Sequence, residues 1–408
     1  MIQSRKTISF SDILLLLFLM HMLLPFVGYY TPGIVYMGNT ILLYLVFFCR
    51  SGSEFNRDIY YAFPFLVLAS IFLSEYLQLS VFKFALQMYG QLQTIFWSVF
   101  AYSIIKNQKL NVAKKVIVWT LICCVITVIT TSAGVINNPG AARILATISD
   151  TSSYEYGMYM KKNIGGFLFT YTIVGLFPMV ICFWKQKRLN TILFAGLAAL
   201  GAIFFVSVEY STAILLYIYI LTLIFMKRKT TGQETIIWIF LGVVILCFGQ
   251  PLLGKLFLFL AKNIDSFNVQ VRMHELAEMM GAVDAANIAE AGDVARRGEL
   301  FMLSISSFLR NPLWGGGSVG GHSYILDMLG KYGLVGGISL FWVYQRIYSY
   351  MYKPFQKQPF FGYMLFSYVI CIVMAVLNTN PCWFVVTCMV PLSGYYLAAT
   401  NDYLRNRI

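Results

Sequence analysis

Charge is what this sequence has least of. Only 12% of its 408 residues are Asp, Glu, Lys or Arg, against 59% hydrophobic. A soluble domain carries about 25% charged residues, so an ordinary water-facing surface is excluded. Acidic residues are the scarcer sign, 17 against 30 Lys and Arg, for a formal net charge of +13. Histidine occurs three times, as His21, His274 and His322. These are too scattered to predict a metal site, and no HExxH, DxD or Gly-rich P-loop is present. The missing P-loop argues against an ATP-driven pump, and no metal or cofactor is expected. The 8 cysteines (Cys49, Cys123, Cys124, Cys182, Cys247, Cys371, Cys382 and Cys388) fall nearly all inside apolar runs and form no CxxC pair. They read as small core hydrophobes, with neither a disulfide framework nor a zinc site.

What is there instead is a succession of apolar runs, near 8–29, 34–49, 59–78, 82–105, 116–136, 164–184, 189–207, 211–226, 235–260, 322–345, 359–379 and 383–400. A membrane-spanning helix needs about 20 predominantly apolar residues, and about twelve such spans fit. Barrel strands would instead alternate over about 10 residues, so the fold class expected is an all-α polytopic membrane protein. The first run has a basic flank but no small-residue cleavage pattern, and reads as a retained first span. Lys and Arg concentrate in short linkers, where insertion places them, so the basic balance predicts a bilayer partner and no nucleic acid. With the N-terminus in the cytoplasm, the cytoplasmic linkers carry Arg5 and Lys6, Arg50 and Arg57, Lys106 to Lys115, Lys185 to Arg188, Lys227 to Lys229, Arg346 to Lys357, and Arg405 and Arg407. Both termini are then cytoplasmic. Residues 1–260 hold nine spans with an outer loop at 137–163, residues 261–321 form a large extracytoplasmic loop with short helices, and residues 322–408 hold three spans.

Two outer segments break this charge pattern. The loop NNPGAARILATISDTSSYEYGMYMKKN (137–163) carries Arg143, Lys161 and Lys162; the loop at 261–321 carries Lys262, Arg272, Arg296, Arg297 and Arg310. Outward cations that insertion disfavours need another reason, and binding an anion is the obvious one. Guanidinium forks match phosphate oxygens bidentately and stay charged at any physiological pH. The competing reading pairs them with Glu275, Glu278, Asp284, Glu290, Asp293 and Glu299 of the same loop, or lets them snorkel to lipid headgroups.

The chemistry concentrates between Arg296 and Gly336. Phe301, Ile305 and Phe308 recur at helical spacing, and Asn311-Pro312 predicts the end of that helix. Gly315, Gly316, Gly317, Gly320 and Gly321 then permit a tight return, and His322 opens the next expected span. A His there can serve as general base; an interfacial His without chemistry is the plain alternative. Asp327 and Lys331, four apart on the next helix, can pair with each other, although ionisable groups inside a span lean functional. Asp327 is therefore a secondary candidate, with Tyr324, Lys161 and Asn163. Gly330, Gly333 and Gly336 read as positions of close helix packing.

Taken in order, Arg297, Arg310-Asn311-Pro312-Leu313, the glycine run, His322-Ser323 and Gly333-Leu334-Val335-Gly336 resemble the signature region of the O-antigen polymerase and ligase superfamily of bacterial membrane proteins. The motif covers only 297–336 of 408 residues, while the hydropathy profile, with a large loop before the last spans, agrees along the chain. GGHSYILDMLGKYGLVG and NPGAARILA are more similar to Wzy-type repeat-unit polymerases than to ligases. Many relatives carry Ser-Arg near the outer part of a middle span. Here that place reads Ser207-Val208-Glu209-Tyr210-Ser211, without arginine, and Arg143 is the candidate to replace it. The resemblance implies a GT-C-like glycosyltransferase architecture and a donor glycan on undecaprenyl diphosphate. The implied acceptor is a hydroxyl of the next lipid-linked repeat unit, at the outer face of the bacterial cytoplasmic (inner) membrane. His322 and Arg297 are then the catalytic candidates, and Arg310, Arg143, Arg296 and Arg272 the diphosphate-binding ones. A chain-length regulator and a flippase are the implied protein partners. Two rivals stand beside it: an O-antigen ligase that transfers glycan to lipid A-core, and a flippase or transporter of lipid-linked sugar.

Overall fold

Isoleucines and other apolar side chains lie exposed on the outside of this bundle, while hydroxyls such as those of Thr120, Thr127 and Thr131 are buried among apolar groups inside it. The computed structural model describes residues 10–51, 55, 57–58, 62–71, 81–138, 141–147, 153–208, 210–226, 234, 237, 250–264, 270–271, 273–274, 277, 293–377 and 382–400. Every regular element among the described residues is helical. In chain order they are α1 (Phe10–Leu23), α2 (Pro25–Tyr30), α3 (Gly33–Ser51), α4 (Phe63–Ile71), α5 (Val81–Lys106), α6 (Leu110–Asn137), α7 (Ala141–Thr147), α8 (Tyr154–Lys161), α9 (Phe167–Lys185), α10 (Thr191–Val208), α11 (Ser211–Leu221), α12 (Gln250–Asn263), α13 (Asp293–Arg310), α14 (Tyr324–Met351), α15 (Phe361–Leu377) and α16 (Val390–Thr400). A π-helical turn at Val385–Met389 leads into α16.

The buried face of α6 carries Ala113, Thr120, Cys124, Thr127 and Thr131, while Val118, Ile122, Ile126, Ile129 and Ile136 are exposed. α10 likewise exposes Ile192, Leu193, Ile203 and Val206. Small residues that let helices approach, with branched apolar ones outside, are what packing in lipid requires. Helices α6, α9 and α10 are each long and apolar enough to cross a membrane, and five shorter apolar helices accompany them. α9 lies deepest, with Phe169, Tyr171, Val174, Phe177, Ile181 and Cys182 all buried. Pro178 has no N–H for the ladder of α9, and the carbonyl of Gly175, in the turn before it, accepts the hydroxyl of Ser367 from α15.

Breaks divide runs that hydropathy shows as continuous. The first, expected over 8–29 as one span, is cut at Leu24, which is extended, and Pro25 starts α2. The freed carbonyl of Leu23 is taken by Thr127 Oγ1 at 2.7 Å. Between 189–207 and 211–226 the chain reverses at Tyr210, and Tyr217 Oη reaches back to the Ala198 carbonyl at 2.6 Å. α10 and α11 thus form an antiparallel hairpin. The run expected over 235–260 is described only at 237 and from Gln250 onward, and the acidic stretch 278–292, expected as a loose connection, lies outside the described residues.

These reversals sort the linkers to two ends. Gly175 touches Ser367 and Cys371, whereas Cys182 lies near Tyr363, so α9 and α15 run antiparallel. The start of α9, the end of α15, the Tyr210 reversal, α7 and α8 therefore share one end. Tyr324 stands against Trp383 with ring centres 5.2 Å apart, which brings the glycine turn before α14 to that same end. Lys106, Lys109, Lys187, Arg188, Lys353 and Lys357 gather at the other.

Candidate functional site: a glycine-built hairpin

α13 ends at Arg310, directly before Asn311-Pro312. Asn311 Nδ2 donates to the Gly315 carbonyl at 2.8 Å, and the Gly315 N–H donates to the Asn311 carbonyl at 2.9 Å. The chain then doubles back along α13 so closely that side chains are excluded. A Cβ on Gly317 would lie 1.7 Å from Ser307 Oγ, and one on Gly320 would lie 2.2 Å from the Leu300 carbonyl oxygen. Ser304 Oγ fastens the return, accepting the Gly320 N–H at 3.0 Å and donating to Asp327 Oδ1 at 2.6 Å. Asp327 Oδ1 also accepts the Gly321 N–H at 3.3 Å.

Gly333, expected as a packing position, does lie against the Leu313 backbone, where a Cβ would come within 2.4 Å, and it also breaks α14, with φ 59° and ψ −162°. The N–H groups of Leu334 and Val335 leave the helical ladder for the carbonyls of Pro312 and Leu313, at 2.7 and 3.1 Å. The Gly316 N–H takes the Lys331 carbonyl at 2.8 Å. The hairpin tip is thereby bonded to the break. Gly330 does pack closely, against Val319 and Ser304.

Beside the tip lies a half-open hollow of about 200 Å³, lined by Leu303, Ser306, Ser307, Arg310, Asn311, Gly315, Gly316, Gly317 and Ser318. Arg310 is exposed and has no acidic partner among the described residues, and the Ser306 and Ser318 hydroxyls make no hydrogen bond there. One cation and three hydroxyls around a tight turn suit an anion with several oxygens. Ser304 and Ser307, about one helical turn apart on α13, carry the turn; that spacing was readable beforehand, their partners were not.

His322 is half-buried and stands one residue before Ser323, whose Oγ caps α14 by accepting the Leu326 N–H at 3.3 Å. It lies in the turn and does not open the helix as expected. It has no hydrogen-bond partner among the described residues. Because the return passes Ser307 at Gly317 and Leu300 at Gly320, His322 comes level with the first half of α13, which holds Arg296 and Arg297. Arg310 stays at the tip. Arg297 and Arg310, expected to clasp one diphosphate together, occupy opposite ends of α13. From 297 to 310 is thirteen steps of ~1.5 Å, or ~20 Å along the axis, so one small group does not meet both side by side. The side chains of Arg296, Arg297 and Arg143, and the whole of Arg272, lie outside the described residues.

The secondary candidates are mostly engaged in holding the fold. Asp327 is buried and takes the turn's donors, with Lys331 still within electrostatic reach. Tyr324 packs in an aromatic ladder with Trp383, on which Tyr344 stacks at 4.4 Å. Lys161 Nζ lies 5.3 Å above the Tyr29 ring. Asn163 is buried, and its amide bonds to Phe26, Thr127 and Thr130. The helix of Arg143 has a different placement: Tyr210 Oη donates to the Ala142 carbonyl at 2.8 Å. That bond seats α7 on the Tyr210 reversal between α10 and α11.

Fold and site together define an all-α protein with at least three helices able to cross a membrane and a cationic hairpin at one end of the bundle. No family model, no curated protein and no solved structure matches the chain.

Proposed function

We propose that this protein is a polysaccharide repeat-unit polymerase of the bacterial cytoplasmic membrane, with about twelve spans, a GT-C-like architecture and both termini in the cytoplasm. The observation that carries the reading is that the Arg310 hollow, the His322 turn and the α7 helix of Arg143 share one end of an apolar bundle, opposite the lysine-rich end. Basic linkers face the cytoplasm, so the hairpin faces outward, where lipid-linked glycans are joined. In the reaction an acceptor hydroxyl attacks the anomeric carbon of the donor glycan, and the bond to the lipid diphosphate breaks. His322 takes the hydroxyl proton, an effect worth roughly 100- to 10,000-fold. Arg297, level with His322, holds the leaving diphosphate; a preorganised cation there contributes several kcal/mol. Arg143, seated at the Tyr210 reversal, replaces the missing middle-span arginine.

The test is complementation together with polymerisation by purified protein. Arg297→Ala and His322→Ala, at normal expression, are expected to lose at least about 100-fold in rate; full polymer length and rate in both would end the proposal. A knockout separates the ligase reading, since loss of a polymerase leaves single repeat units on the core and loss of a ligase leaves none. The break at Gly333 favours a transporter, because interrupted helices build substrate sites in that class. Polymer formation in detergent, with no bilayer to cross, decides for the enzyme.

A further inference from the structure

We infer that the Arg310 hollow and the apolar stripe beneath it form a second lipid-diphosphate site, one that holds the acceptor's carrier. The inference rests on the polymerase reading for the identity of the lipid. Its starting point is the ~20 Å along α13 between Arg297 and Arg310. The donor's diphosphate must lie at the reacting centre, because its bond to the sugar breaks. The acceptor's diphosphate is not consumed, and the attacking hydroxyl is at the far end of its glycan. It must therefore stand off from His322 by roughly the length of one oligosaccharide, as the hairpin tip does.

The hollow has the chemistry for such a head. Its volume of about 200 Å³ is many times the ~10–15 Å³ that one water needs by the same measure, room for more than a single phosphate. Arg310 and the hydroxyls of Ser306, Ser307 and Ser318 surround it, and the tip's backbone bonds fix its shape before anything enters.

A stripe for the tail continues from its rim. Leu309, Leu313 and Trp314 are exposed around the tip, and the bonds from Leu334 and Val335 join it to the second half of α14. There Leu334, Ile338 and Phe341 are exposed at helical spacing on one face, with Ser339, Leu340 and Val343 buried on the other. Exposed apolar residues alone would meet any bilayer lipid. The stripe differs in ending at an arginine that has no acidic partner among the described residues, in a preformed hollow. That suits a lipid with a diphosphate head, which on the polymerase reading is the acceptor's carrier.

The experiment measures binding of labelled undecaprenyl diphosphate to the full-length protein in phosphatidylcholine nanodiscs, with its stoichiometry. Wild type is expected to bind two lipids. Arg310→Gln, on an exposed side chain, is expected to bind one, its second affinity falling at least about tenfold through loss of charge-assisted hydrogen bonds. Trp314→Ala with Phe341→Ala should weaken the lipid at this site but leave inorganic pyrophosphate unaffected. In turnover, Arg310→Gln should raise the half-saturating concentration of lipid-linked repeat unit while kcat holds; Arg297→Ala should lower kcat. A single lipid on wild type, unchanged stoichiometry in Arg310→Gln, or equal competition by phosphatidylglycerol would overturn the site. A protein that binds two lipids but makes no polymer would retain the site and end the polymerase reading. One that makes polymer with Arg310→Gln indistinguishable from wild type would do the reverse.

Discussion

Asn163 supplies the sharpest test of how this bundle is held. It is buried and left-handed, with φ 58°. Its Oδ1 accepts the Phe26 N–H at 3.3 Å, and its Nδ2 donates to Thr127 Oγ1 at 3.3 Å and Thr130 Oγ1 at 2.9 Å. Thr130 Oγ1 donates back to the Asn163 carbonyl at 2.9 Å, and the Gly165 N–H donates to Thr131 Oγ1 at 2.7 Å. One side chain thus joins the α1–α2 break, the middle of α6 and the entry to α9. The Phe26 N–H belongs to the first turn of α2, where no intrahelical acceptor exists. Asn163→Ala strands that donor, at about 1–3 kcal/mol. It also places a Cβ-bearing residue without a compensating amide in the left-handed region, at roughly 1–2 kcal/mol. The sum is about 3–4 kcal/mol. Asn163→Gly loses the same bonds but keeps the backbone at ease, so it should be milder by about 1 kcal/mol. Tryptophan-fluorescence melting in detergent should rank wild type above Gly and Gly above Ala, with turnover per folded molecule retained. If Asn163→Ala melts like wild type yet loses turnover, Asn163 belongs to the site and the clamp argument is wrong.

Two further contrasts follow from neighbouring geometry. Gly320→Ala drives a Cβ into the Leu300 backbone oxygen at 2.2 Å, whereas a Cβ at Gly321 meets nothing within 4 Å and faces only its φ of 73°. The first should cost about 3 kcal/mol from overpacking and lost turn bonds, the second about 1 kcal/mol; detergent melting that shows the two alike would contradict the close-return geometry. Lys115 Nζ meets Asp12 Oδ2 at 2.5 Å, with the carboxylate side chain 8% exposed and the lysine 38%. Lys115→Ala takes the cation from beside a buried carboxylate and should cost about 2 kcal/mol or more, while Asp12→Asn leaves a partly solvated lysine and should cost under about 1 kcal/mol. Equal losses in chemical denaturation would refute that asymmetry.

What was legible in the sequence was local, and what was not depended on partners far along the chain. The end of α13 at Arg310 follows from Asn311-Pro312, because a proline restricts its predecessor and cannot continue the ladder. The tight return follows from five glycines. Gly333 looked like Gly330, and both permit close approach, yet only Gly333 also breaks the helix; the difference lies in the Pro312 and Leu313 carbonyls, which draw the next two N–H groups away. Asp327 looked like a partner for Lys331, which does lie within its electrostatic reach, and its Oδ1 is also taken by Ser304 and Gly321. The thirteen-residue interval between Arg297 and Arg310 was visible throughout, and the predicted helix already separated them.

A chain so poor in polar groups spends most of them on its own assembly, so a polar residue in an apolar setting is weak grounds for a site until its bonds are known. Asn163, Asp327, Lys161 and Tyr324 were singled out as polar or aromatic groups near the expected outer face, and each turns out to be engaged by another helix. Arg310, Ser306, Ser318 and His322 have no hydrogen-bond partner among the described residues, although they lie on or beside a turn whose every fastening is satisfied by other groups. Polar chemistry left over after the scaffold is complete, held in place by that scaffold, is what a binding site needs. These groups, without a hydrogen-bond partner among the described residues, are the reason, more than the count of arginines, that we propose an anionic ligand for the hairpin.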